Sequence, residues 1–177
     1  MKPEDIQKML FVSASEHYGD KYIEHLLEQY KIYISAAEKI SDRRQKANEF
    51  FLALNTGLVA LLSFVAARAT QGETSLIVGL SSIAGMTMCY LWYRILLSYK
   101  GLNGGKFKVV HVIEQRLPLA LYDTEWEMLG RGEDKKLYWP FTHIELFVPW
   151  IFMSIYGLLL LSAIPWVYLA HLICHLS

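Results

Sequence analysis

The stretch from Ser41 to Arg68, SDRRQKANEFFLALNTGLVALLSFVAAR, carries a charged helical pattern without proline directly into an apolar segment of membrane length. No ionisable residue occurs from Phe50 to Ala67, and those eighteen positions approach the roughly 20 that a helix needs to cross the hydrocarbon core. A membrane-spanning helix is therefore expected, with the rest of the chain leading into it or packing beside it. The chain is 54% hydrophobic and 14% aromatic, yet holds 17 basic and 17 acidic residues, so apolar and charged positions must be segregated along it. The net charge of zero argues against a nucleic-acid surface held by bulk electrostatics, and no direct nucleic-acid binding is expected.

Upstream, Pro3 to Glu16 opens with proline and two acids, as a helix start prefers, and is broken at Tyr18-Gly19-Asp20. Asp20 can cap a second helix whose positions Ile23, Leu27, Tyr30, Ile34, Ala37 and Ser41 step by four and three, the spacing of a packed seam. Two readings stay open for that seam, a stalk between subunits or the buried face of a bundle within one subunit. From Asp20 to Arg68 there is no proline and the only glycine is Gly57, so one helix of up to 49 residues can join the seam to the bilayer.

A turn from Arg68 to Glu73 leads into Thr74 to Tyr93, twenty residues without a charge, and the first two spans should form an antiparallel hairpin. Within the second span Ser75, Gly79, Ser82 and Gly85 allow close helix approach. From Tyr99 the chain turns polar. The glycines of Gly101 to Gly105 read as a flexible entry to an amphipathic helix over Lys106 to Leu117; Asp123 is expected to cap a short turn ending at Gly130. Thr142 and Glu145 form a capping box that predicts a helix start near His143. The third apolar segment, Leu146 to Ala170, contains Pro149 and Pro165.

The expected class is all-α, an integral membrane protein with about three spans, divided as 1–48 cytoplasmic helices, 49–98 hairpin, 99–143 cytoplasmic insert and 144–177 third span with a short tail. Lys and Arg number eight before the first span, seven from Lys100 to Lys136, one in the hairpin turn and none after Ala170. The N-terminus and insert are thus expected in the cytoplasm and the C-terminus outside. Tyr90, Trp92, Tyr93, Trp139, Trp150, Trp166 and Tyr168 read as interfacial belts. The first forty residues hold no apolar run with a cleavage site, so insertion should rest on the internal spans.

Chemistry-bearing motifs are thin. Gly101 to Lys106 lacks the Walker spacing and the hydroxyl residue after its lysine. His171, Cys174 and His175 share a helical face but sit in a terminal tail without a nearby carboxylate, and no metal or other cofactor is assigned. Cys89 and Cys174 read as thiols buried in apolar segments. No nucleophile elbow, zinc motif or paired acids occur, and an enzyme is not expected.

Polarity inside the membrane is the strongest remaining signal. Asn48, Asn55, Thr56 and Ser63 fall on one broad side of the first span, where a mid-depth asparagine is costly unless it meets water or another polar group. Either they bond within one subunit, or they line an aqueous pathway in a ring of subunits, with Arg43, Arg44 and Glu49 at its cytoplasmic mouth. Arg94, at the inner end of the second span, is expected to pair with Glu145 or His143, or else to snorkel to the headgroups.

The runs SDRRQKANEFFLALN, LNGGKFKVVHVIEQRLP with YDTEW after it, and PFTHIE resemble the RipA-like octameric membrane proteins, in particular the membrane accessory proteins of type VI-B CRISPR systems. The resemblance covers most of the chain after residue 20. It implies a homo-octameric ring forming a pore in the bacterial inner membrane. Functionally it implies a link to an RNA-guided RNase, with antiviral defence enhanced by membrane depolarisation. That group was also proposed to carry a divergent HEPN nuclease motif. Here the nearest Arg to His pairs, Arg94 to His111 and Arg131 to His143, leave sixteen and eleven residues between them where that motif needs four to six, which favours the pore over RNA cleavage.

Overall fold

The computed structural model describes residues 3–13, 15–68, 73–133, 136–138 and 141–164. Its helices are α1 (Pro3–Leu10), α2 (Ser15–Tyr18), α3 (Tyr22–Arg68), α4 (Glu73–Glu114), α5 (Leu121–Met128) and α6 (Phe141–Ala163), with one 3-10 turn at Gly130–Gly132. No strand occurs among the described residues. Three of these helices, α3, α4 and α6, contain segments long and apolar enough to cross a membrane.

Without proline to remove a backbone donor, α3 runs unbroken for 47 residues. Its start is set by Gly19, whose φ of 91° is left-handed, and by a bond from the Tyr22 N–H to the Gly19 carbonyl at 3.1 Å. Asp20 therefore lies in the turn, two positions before the helix. The N-terminal segment departs from the single helix expected over Pro3 to Glu16. It is split into α1 and α2, and Phe11, in the gap, sits under the Arg116 guanidinium at 3.4 Å from the ring centroid. That contact spans more than a hundred residues of sequence and leaves no local mark.

The second span does not end at a flexible glycine entry. α4 continues for 42 residues to Glu114, with Gly101, Gly104 and Gly105 in its interior. Each glycine there costs about 1 kcal/mol relative to alanine; the following turns offset this by burying Val110, Val112 and Ile113. α6 begins at Phe141, two residues ahead of the expected start, and carries Pro149, fully buried, without interruption. Pro165 and the tail with His171, Cys174 and His175 lie outside the described residues.

The chain forms two compact units, one of residues 1–45 and 97–143, the other of residues 46–96 and 144–177. In the first, Tyr30, Ile34 and Ser41 of the seam are half-buried and Ala37 is buried, whereas Ile23 and Leu27 stay exposed. In the second, Leu62 of α3, Cys89 of α4 and Tyr156 of α6 form the centre, surrounded by Leu58, Val59, Met86, Phe152, Met153 and Leu159. Ser75 at the start of α4 donates to the Ala163 carbonyl at the end of α6. Trp92, expected in an interfacial belt, is instead fully buried and stacks on Phe51 at 5.9 Å; Tyr90 and Trp150 remain exposed.

Gly85 is needed for the fit of α6 on α4. A Cβ at this position would stand 2.6 Å from carbons of the Tyr156 ring, which is fully buried and has nowhere to retreat. Gly85→Ala should therefore lower the thermal midpoint of the detergent-solubilised protein, with a cost of about 1–3 kcal/mol from overpacking. Gly79→Ala, where nothing lies within 4 Å, serves as the neutral control; equal midpoints for both variants would contradict this packing.

Candidate functional site

The polar residues of the first span divide between two faces of α3. Asn48, Asn55 and Leu62 recur every seven residues and point into the second unit, while Thr56 and Ser63 follow one position later, about 100° around the helix, and are exposed. Their apparent grouping on one broad side conceals this division.

Asn55 is fully buried. Its side-chain N–H donates to the Phe51 carbonyl at 2.8 Å, its side-chain oxygen accepts from the Cys89 thiol at 3.3 Å, and its backbone carbonyl accepts from the Tyr156 hydroxyl at 3.3 Å. Asn48 accepts the Trp92 indole N–H at 3.1 Å. Inside one subunit these contacts give both ends of the Asn55 amide, and the Asn48 side-chain oxygen, the partners that a low-dielectric setting demands. Asn55 thereby ties the three apolar helices together at one depth. Sequence reasoning missed Cys89 and Tyr156 as partners of Asn55 and Trp92 as the partner of Asn48, because 34 to 101 residues separate the bonded groups.

Thr56 and Ser63 stay on the exposed face, where Ser63 turns back onto the Val59 carbonyl at 2.8 Å. At the polar end of the span Arg43 and Glu49 are exposed and Arg44 is half-buried; Arg44, Glu49 and Glu145 are each engaged by neighbouring groups. Arg94 is exposed and Glu145 is half-buried. The His143 side chain lies outside the described set.

A second polar centre, in the first unit, was not anticipated. Glu114, the last residue of α4, is 1% exposed. Its carboxylate accepts the Tyr30 hydroxyl at 2.8 Å and the backbone N–H groups of Tyr122 and Asp123, both at 3.0 Å. It thus caps α5 from a distance, whereas Ala120 at the N-cap position supplies no side-chain bond and Asp123, expected as the cap, sits inside the first turn. Burial, and then the bond to Glu114, raise the Tyr30 phenol well above its ordinary range, so its proton stays committed. Beside them His111 approaches Asp123 at 3.4 Å, and Arg116 donates to the Tyr22 hydroxyl at 3.0 Å. The available sequence signal was a lone acid flanked by Val110, Val112 and Ile113, which a surface helix would not need.

Two substitutions test these centres. Asn55→Leu should cost about 1–3 kcal/mol by crowding Cys89 and Tyr156, read as a lower midpoint of unfolding. Glu114→Gln removes the charge from three hydrogen bonds and should cost about 2 kcal/mol. Hydrogen exchange at the Tyr122 and Asp123 amides should accelerate in that variant; unchanged protection there would refute the cap.

Compared with known proteins, the chain is matched over residues 27–165 by the model of the octameric membrane protein family. No curated protein and no solved structure shows significant similarity to it. The match takes in all three apolar segments as far as they are described, together with Asn55, Tyr156 and Glu114, and on this extent the chain belongs to the octameric membrane protein family.

Proposed function

We propose that the protein assembles into a homo-octameric ring that permeabilises the bacterial inner membrane. In this reading it enhances type VI-B CRISPR defence by depolarising the cell when the RNA-guided RNase detects phage RNA. It acts through conduction, without a catalytic step or a bound cofactor. By the distribution of Lys and Arg, the N-terminus and the insert face the cytoplasm and the C-terminus lies outside.

The observation that carries this reading is the surface left uncovered on one chain. Only 11% of the apolar windows of α3 and α6, and 28% of that of α4, is buried within the protomer. Lipid accounts for apolar area of that kind; the exposed Thr56 and Ser63, the latter turned back onto the Val59 carbonyl, add a polar stripe to the same face that favours an aqueous or polar neighbour. In a family described as octameric, that neighbour is a facing subunit or the axis of the ring. The lining proposed here is Thr56 and Ser63, with Arg43 and Glu49 at the cytoplasmic mouth.

A second reading, a non-conducting membrane scaffold that recruits a cytoplasmic partner, draws on one specific observation. Asn55, the costliest polar group of the span, has both ends of its amide bonded within the protomer, and the Asn48 oxygen accepts there from Trp92.

Liposome leakage separates the two. Purified protein should release a trapped fluorescent dye or dissipate a potassium gradient, and Thr56→Leu with Ser63→Leu should reduce that flux severalfold without changing oligomer size. Tight liposomes at every protein density would support the scaffold. Membrane potential in cells carrying the RNase and a matching phage target then tests the defence role, depolarisation being expected only when all components are present.

A further inference from the structure

The first unit holds a cleft of about 230 Å³ between the link from α1 to α2, the start of α3 and Ile113 of α4. Most of its wall precedes residue 27, where the family match begins, so the family assignment does not account for it. Tyr22, Leu26, Gln29 and Tyr30 present one face of α3 to it, at the i, i+4, i+7, i+8 spacing of a helical stripe. Phe11 and Tyr18 add rings from the link and from α2.

Three properties narrow what this cleft can hold. The first is size: the volume falls below the roughly 300–1,000 Å³ of sites for drug-sized ligands and suits a single small molecule. The second is charge. None of the lining residues is Asp, Glu, Lys or Arg, and the charged groups that touch them, Arg116 on Phe11 and Tyr22 and Glu114 on Tyr30, are of opposite sign, so the wall favours a ligand without net charge. The third is the direction of the hydrogen-bonding groups. Tyr30 gives its proton to Glu114 and keeps oxygen lone pairs to accept with; Tyr22 accepts from Arg116 and keeps its proton to donate. Gln29, exposed between them on the same stripe, offers both kinds of group. The rings are also held in place, Tyr18 meeting Tyr22 and His25 edge-on at 5.7 Å each and bonding the His25 ring nitrogen at 2.9 Å.

We propose that this cleft binds a neutral, planar heteroaromatic molecule of base or nucleoside size, stacked on the tyrosine rings with a donor–acceptor edge read by Tyr22, Gln29 and Tyr30. Because Tyr30 also bonds Glu114, the bound molecule is linked through Tyr30 to the group that closes α4 and caps α5. Occupancy would thereby stabilise that junction.

The test uses the full chain in detergent micelles and saturation-transfer NMR with adenosine, cytidine and uridine, and it requires no conduction, so it stands apart from the pore reading. Indole serves as a flat probe without the polar edge, and adenosine monophosphate as a charged one. Nucleosides should receive saturation, indole should compete poorly, and the monophosphate should bind no more tightly than adenosine. Tyr22→Phe and Gln29→Ala should each weaken nucleoside binding about tenfold, the loss of one hydrogen bond. Gln29 is exposed, so its variant leaves the fold intact. The proposal is overturned if no nucleoside binds at millimolar concentration, if indole binds equally and Gln29→Ala has no effect, or if the monophosphate binds much more tightly than adenosine.

Discussion

A primary amide in the middle of a membrane-spanning helix has no water to fall back on, and the second unit is arranged around that fact. Leaving such a group unpaired in an apolar medium costs several kcal/mol, more than most single packing contacts return. Asn55 avoids the cost by drawing a thiol from α4 and a phenol from α6 onto itself and its own carbonyl. Once those bonds are made, the rotation of α3 about its axis is fixed. Leu62, one heptad further on, is then directed into the centre with Cys89 and Tyr156. Gly85 follows as a consequence, since the phenol reaches Asn55 only if its ring lies flush against the α4 backbone.

The first unit solves a related problem with a full charge. Carboxylates are almost never fully buried unless paired, and Glu114 is buried with three donors instead of a cation. Two of those donors are among the orphaned amides that every helix leaves at its start, so one carboxylate answers both needs. This explains how an eight-residue helix with no side-chain cap of its own is held in place after Pro118. Arg116 performs similar work nearby, fixing the Phe11 ring with its guanidinium face and the Tyr22 hydroxyl with one of its N–H groups.

With the Asn55 amide satisfied inside, the second unit presents an exterior of leucine, phenylalanine and isoleucine, among them Leu54, Leu61, Phe64, Ile83 and Ile151. That exterior is suited to lipid and to other copies of the chain. In lipid, helices associate by packing and hydrogen bonding rather than by expulsion of water, so the exposed side chains of Thr56 and Ser63 weigh more than their number suggests. Division of the polar residues between an inner and an outer face thus separates what holds a subunit together from what is available to an assembly.

Much of this was legible in the sequence. The absence of charge from Phe50 to Ala67, and of proline from Asp20 to Arg68, dictated an unbroken helix entering a bilayer, because hydrocarbon admits backbone only when its own hydrogen bonds are complete. Cys89 as a buried thiol followed from its apolar surroundings, and three spans from the lengths of the apolar runs. Which way each polar side chain turned did not follow. Asn55 and Thr56 are adjacent and equally polar to a reader of the sequence; a rotation of about 100° sends one to the centre and the other outward, and the partners that decide it lie 34 and 101 residues away. Glycine misled for the same reason, since Gly101 to Gly105 reads locally as a break, while burial of Val110, Val112 and Ile113 in the next turns keeps α4 helical. Local composition determines where a chain must be helical and apolar; contacts between distant residues determine which face is satisfied within the protomer and which is left for others.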